Sequence, residues 1–248
     1  MPELGADTSL PGLVLGGRAF GRGIDGQQID DAFALIAATG SREVDVCHMP
    51  GAEDAEAALG LRLGGLSLVR ADLYITTKVD PQGRSGRVSL RPEEVRRQLD
   101  ATLQRLQTDY VDLLILHRPD NETPIELTLQ ACAELHTEGK LRQLGLSGYA
   151  AWQVAEAYHA CDREGWLLPS VYQGPYNVIT RQVEAELIPC LHHLGMAFYA
   201  CSPLAAGLII AISGNGHRQV SRDHNRASSM GHAVGRLRQA SEATLLRW

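Results

Sequence analysis

The chain has no Cys-x-x-Cys pair, no excess of basic charge and no apolar run long enough to cross a bilayer. Each lack closes off a class of protein. Its five cysteines, Cys47, Cys132, Cys161, Cys190 and Cys201, are scattered and odd in number, a pattern of reduced thiols rather than of a disulfide frame or a zinc ribbon. A formal charge of −6 with both signs spread along the chain leaves no footprint for nucleic acid or an anionic membrane surface. The longest apolar run, from Leu204 to Ile212, falls well short of the ~20 residues a spanning helix needs. The start of the chain, Met1-Pro-Glu-Leu-Gly, carries neither a basic nor an apolar leader. A cytoplasmic protein with a small-molecule partner, and no nucleic-acid or membrane partner, is the expectation.

What is present is alternation. At 248 residues and 44% hydrophobic, the chain is long enough for one large α/β domain. Leu113 to Leu116, after Val111-Asp112, is a continuous Leu/Ile run between two helical segments, the composition of a parallel strand buried on both faces. It delivers His117 to its C-terminal end. Further strands are read at Leu13–Leu15, Glu43–Cys47, Leu73–Val79, Gln143–Ser147, Ser170–Gln173 and Met196–Cys201. Helices fall between them. One carries Ile29, Phe33 and Ile36 and stops at Gly40; another has Pro92 and two glutamates in its first turn. Thr123 is read as the cap of the next, ahead of Pro124, and Thr180 as the cap of a helix running to Gly195. Seven strand–helix steps wound in one sense predict a (β/α)8 TIM-type barrel, incomplete by one strand. The barrel is placed at residues 1–212. Residues 213–248 are read as an irregular tail ending in a short helix from Val234; the open strand edges are then covered by this tail or by a partner, a homo-oligomer being one way, or the chain is a shortened version of a longer parent.

In such a barrel the carboxyl ends of the strands share one mouth. Asp45, Lys78 and His117 all stand at such ends. Singly, an aspartate closing a loop, a lysine in an ion pair and a hydrogen-bonded histidine are ordinary structural residues; together they mark a candidate site. Gly21-Arg-Gly-Ile-Asp-Gly26 fits G-x-G-x-x-G, but its first glycine lies several residues beyond the strand, so it reads as a loop rather than a dinucleotide fingerprint. His192 and His193 sit on an amphipathic helix. His217, His224 and His232 lack any ligand spacing, so no metal site is expected.

These residues carry a specific resemblance. Val44-Asp45, Thr77-Lys78, Leu99-Asp-Ala-Thr-Leu-Gln-Arg-Leu106, Leu116-His117, Gly145-Leu-Ser147, Val171-Tyr-Gln-Gly-Pro-Tyr-Asn177, Thr180-Arg-Gln-Val-Glu-Ala-Glu-Leu187 and Ser202-Pro-Leu-Ala-Ala-Gly207 resemble the aldo-keto reductases, the aflatoxin-aldehyde reductase branch most. The resemblance covers about Leu13 to Gly207. It implies NADPH-dependent reduction of an aldehyde or ketone: hydride passes to the carbonyl carbon, a tyrosine donates the proton, a lysine lowers that tyrosine's pKa, an aspartate holds the lysine charged and a histidine orients the carbonyl oxygen. By motif these roles fall on Lys78, Asp45 and His117. Cofactor contacts fall on Ser147, Gly148 and Gln173, and on the loop Ser202, Pro203, Leu204, Ala205, Ala206 and Gly207.

The chain also departs from the pattern. The family's tyrosine, five residues after the aspartate, is here Pro50, which has no proton to give. His48, two residues before it, is the nearest substitute acid. The aromatic that stacks on the nicotinamide falls at Cys201, and the loop lysine is absent near Ile212. Weakened NADPH binding is therefore expected. Two functional classes follow: a reductase with a replaced proton donor, or a non-catalytic or truncated relative acting as a binding or subunit protein.

Overall fold

The computed structural model describes residues 12–48, 52, 54–63, 69–81, 89–203, 205 and 244–247. Seven parallel strands alternate with helices. They are β1 (Leu13–Gly16), β2 (Glu43–Asp45), β3 (Tyr74–Val79), β4 (Val111–Leu116), β5 (Leu141–Ser147), β6 (Pro169–Pro175) and β7 (Ala197–Cys201). Between them run α1 (Gly26–Ala38), α2 (Ala55–Leu63), α3 (Pro92–Leu106), α4 (Ile125–Thr137), α5 (Ala151–Glu164) and α6 (Leu187–Leu194). Every sequential strand pair is hydrogen-bonded in parallel, as right-handed βαβ crossovers require.

Of the ways to cover the open edges, the structure shows the tail doing so. A four-residue strand, β8 (Thr244–Arg247), lies antiparallel between β1 and β7 and closes the barrel. Unpaired strand edges expose backbone N–H and C=O groups, and these residues satisfy them. They fall in the stretch read as a terminal helix, and they are extended instead. The remaining tail, residues 206–243, lies outside the described residues, and with it His217, His224 and His232.

Two other local readings change. Pro124, not Thr123, occupies the N-cap of α4. The helix expected from Thr180 is split into a single 3-10 turn at Gln182–Glu184 and the shorter α6. Pro189 explains the break. Its missing N–H and its ring are tolerated only in the first turn of a helix, so α6 starts just before it. Thr180 instead belongs to a turn closed by Asn177, whose side-chain oxygen accepts from the backbone N–H of Ile179 and Thr180.

Val14, Leu113, Ile115, Val171 and Tyr199 fill the barrel interior. A larger apolar layer, including Phe33, Leu59, Leu99, Leu114 and Val154, binds the helices to the outer face. The α2–α3 contact is close enough to require Gly60, where a Cβ would meet the Arg105 carbonyl at 2.1 Å. Beside it the buried Glu56 accepts from Thr77, Thr102 and Arg105, fixing both helices to the back of β3.

Candidate active site

Side chains alternate across a strand, and paired residues of parallel strands share a face. The interior positions Val14, Leu113, Ile115, Val171 and Tyr199 therefore identify which strand-end residues face the mouth. Through the pairs Gly16↔Asp45, Lys78↔Ile115, Ser147↔Gln173 and Pro175↔Cys201, the inward set includes Asp45, Lys78, Ser147, Gln173 and Cys201. His117 stands two residues beyond Ile115, and Asp80 two beyond Lys78, in the same phase.

The centre is a charged trio. Lys78 Nζ donates to Asp45 Oδ1, and Gln173 Nε2 donates to Asp45 Oδ2 at 3.1 Å. The side chains of Lys78 and Asp45 are only 6% and 11% exposed, so the pair is shielded from solvent screening. Burial presses the ammonium toward neutrality. The opposing charge and hydrogen bond of Asp45 outweigh it and hold the Lys78 pKa above its ordinary value. Lys78 stays a cation throughout the neutral range.

Cys47 and Cys201 flank the lysine. Burial pushes each thiol up to about 11, against the downward pull of the Lys78 charge. Both are thus neutral thiols near pH 7, not nucleophilic thiolates.

His117 sits at the rim, with Nδ1 2.6 Å from Asp80 Oδ2. Arg118 reaches the same carboxylate oxygen at 3.0 Å. The sequence reading missed Asp80. Its only signal was position, two residues past Lys78 on the same strand face. The loop carrying it is clamped from α3, because Gln98 accepts from the Asp80 N–H and donates to the Asp80 carbonyl, each at 2.9 Å.

The remaining sequence-based candidates divide. Ser147 and Gly148 end β5 beside the rim, and Gly148 has φ +74° with a Cβ position 3.3 Å from the His117 carbonyl, so only glycine fits there without strain. Ser202 and Ala205 adopt φ of +54° and +48°, a left-handed conformation that non-glycine residues enter at a cost. The Ala205 N–H closes a turn onto the Ser202 carbonyl, which also accepts from Asn177 Nδ2. Pro203 lies within that turn. His48 is half-buried on the loop after β2. Pro50, Leu204, Ala206 and Gly207 lie outside the described residues.

The chain belongs to the aldo/keto reductase family, whose model matches residues 12–244. It is 47% identical over 200 residues to aflatoxin B1 aldehyde reductase member 2 of Rattus norvegicus, covering 80% of this chain and 53% of that protein. Against aldo-keto reductase family 7 member A3 of Homo sapiens the identity is 46% over 202 residues, covering 80% and 59%. The thermostable aldo-keto reductase Tm1743, solved with the inhibitor epalrestat, superposes with a TM-score of 0.68 at 29% identity, over 80% of this chain and 70% of that one. The chain therefore spans a little more than half the length of the curated relatives it matches.

Proposed function

We propose that the chain reduces small aldehydes or ketones with NADPH. One observation carries this reading: a buried lysine at the mouth of the barrel, held cationic by Asp45, whose other oxygen Gln173 holds in place. A cation fixed where water is scarce stabilises negative charge developing on a carbonyl oxygen far better than one in bulk solvent. The ammonium carries three N–H donors, and Asp45 takes one.

The residues present fit the cofactor. Gln173 donates its amide N–H to Asp45 and keeps its carbonyl oxygen for a carboxamide donor, with Ser147 paired beside it in register. The left-handed residues Ser202 and Ala205 bend the chain after β7 into a tight turn beside this pair, where the resemblance puts the pyrophosphate loop. When bound, NADPH supplies the two electrons and the hydrogen taken up by the carbonyl carbon. Lys78 and His117 then answer for the oxygen.

The grip is weaker than in a chain with an aromatic at Cys201. One lost stacking contact removes roughly 0.5–1.5 kcal/mol, and one lost charge-assisted phosphate contact near Ile212 about 1.5–3 kcal/mol. Pro50, which has no proton to donate, supports a second reading, that of a binding or subunit protein. Titration of NADPH into the purified chain, followed by nicotinamide fluorescence, separates the two when paired with an assay on 4-nitrobenzaldehyde. The expected result is saturable binding in or above the tens of micromolar with slow turnover. Saturable binding without turnover would favour the second reading, and no saturation up to millimolar NADPH would remove the first.

A further inference from the structure

We infer that Asp80 and His117 form an acid pair that delivers the proton to the carbonyl oxygen, so that reduction needs no phenol at position 50. The inference rests on the reductase reading for its reaction and on separate geometry for its residues. Three features carry it: the 2.6 Å contact between His117 Nδ1 and Asp80 Oδ2, the inward phase of both residues, and the clamp that Gln98 places on the Asp80 backbone.

A carboxylate accepts but cannot donate, so it selects the imidazole form with its proton on Nδ1. That leaves Nε2 as the nitrogen that gains and loses the exchangeable proton. In the acid form Nε2–H faces the carbonyl oxygen. As the carbonyl carbon is reduced, the Nε2–H bond breaks and an O–H bond forms, leaving neutral imidazole with Nδ1–H on Asp80. Solvent at the rim restores the proton, since the His117 side chain is 18% exposed.

Charged groups face His117 from several elements. Asp80 lies against Nδ1, and Arg118 reaches the same carboxylate oxygen at 3.0 Å. Lys78 on β3 adds positive charge that Asp45 on β2 offsets. Asp120 lies farther along the β4–α4 loop and is tied to the backbone N–H groups of Leu90 and Glu122. Asp80 is the positioning residue, and His117 the catalytic one.

The test has a structural arm and a kinetic arm. ¹⁵N NMR of the His117 ring reads the tautomer in the wild type and in Asp80→Ala. The expected result is Nδ1–H in the wild type and a switch toward Nε2–H, the form free imidazole prefers, in the variant. An identical tautomer in both would overturn the pair, whether or not the chain turns over. In the kinetic arm, kcat/KM for 4-nitrobenzaldehyde at saturating NADPH is measured against pH for the wild type, Asp80→Asn, Asp80→Glu and His117→Gln. General acids contribute about 10²–10⁴ in rate. His117→Gln should lose about 10²-fold in kcat with little change in KM. Asp80→Asn should lose about tenfold, with the alkaline fall of its profile moved to lower pH, and Asp80→Glu should recover part of the loss. A tautomer switch with an unmoved profile would overturn proton delivery while leaving the pair. A wild type that neither binds NADPH nor turns over would overturn the reductase reading and proton delivery with it, and the NMR arm would still report on the pair.

Discussion

The barrel buries an aspartate at each end, and the two are used in opposite ways. At the N-terminal base, Asp112 on β4 is 2% exposed and saturated. Arg70 and the Ile75 backbone N–H donate to Oδ2 at 2.8 and 2.9 Å, and Arg142 donates to Oδ1 at 3.0 Å. The two guanidiniums close over the faces of Tyr110. At the mouth, Asp45 holds a single lysine and a carboxamide, and the lysine keeps N–H groups to spare. The base spends its charges on rigidity, whereas the mouth leaves hydrogen-bonding capacity open toward the cavity. A barrel that places stability and chemistry at opposite ends can carry a substituted site without losing its fold.

The largest effects should therefore separate. Asp112→Ala leaves the Ile75 N–H unpaired and removes the carboxylate shared by Arg70 and Arg142, so urea unfolding should show a loss of about 3 kcal/mol with NADPH affinity unchanged in the folded fraction. Lys78→Met should do the reverse. Asp45 keeps Gln173 and can take up a proton, so the stability cost is smaller, while aldehyde reduction falls about 10²-fold or more. If each substitution harmed both properties equally, the division between base and mouth would not hold.

Much of the mouth was legible in the sequence because its residues close recognisable strands. His117 follows the Leu/Ile run of β4, Lys78 a β-branched one and Asp45 a short strand, and the period of two places them on the inner face. The base was not legible. Arg70, Asp112 and Arg142 come from three separate segments, and only the side-by-side pairing of β3, β4 and β5 brings them together. β8 escaped for a similar reason. Thr244–Arg247 has leucines that read as helix, and its extended form is dictated by the unpaired edges of β1 and β7. Asp80 was missed because a lone aspartate at a loop start has no pattern, and its partner His117 lies on the next strand. The helix expected at Thr180 failed on a local rule already in the sequence, the proline at position 189.

Alkaline pH sharpens the same comparison with a smaller effect. Cys47 and Cys201 at the mouth have folded pKa values raised to about 11 by burial, against roughly 8.5 in the unfolded chain. A raised folded pKa contributes stability below the unfolded value and loses it as pH climbs toward the folded one. Lys78, also raised, acts in the same direction at higher pH. The wild type should thus lose stability from about pH 8.5 upward, and by about pH 9 the two thiols together should account for roughly 2 kcal/mol. Cys47→Ala combined with Cys201→Ala should flatten that slope, whereas Asp112→Ala should keep it, because the base network contains no thiol or amine. An equally steep fall in the double alanine variant would assign the alkaline loss elsewhere.

The smallest effect tests what holds the base together. The guanidinium carbons of Arg70 and Arg142 lie 4.0 and 4.2 Å from the Tyr110 ring centroid. Two like charges so placed repel each other, and either the ring or Asp112 offsets that repulsion. Cation–π contacts contribute roughly 0.5–1 kcal/mol each at partly exposed sites, whereas the carboxylate makes three hydrogen bonds that stay in place without the ring. Tyr110→Leu, which keeps most of the apolar bulk, should therefore cost about 1 kcal/mol in urea unfolding. With Asp112 already replaced by alanine, the ring faces two unneutralised cations, and the same Tyr110→Leu change should cost more. A cost near 3 kcal/mol in the wild-type background would make the ring, not the carboxylate, the centre of the base. Equal costs in both backgrounds would show that ring and carboxylate act independently.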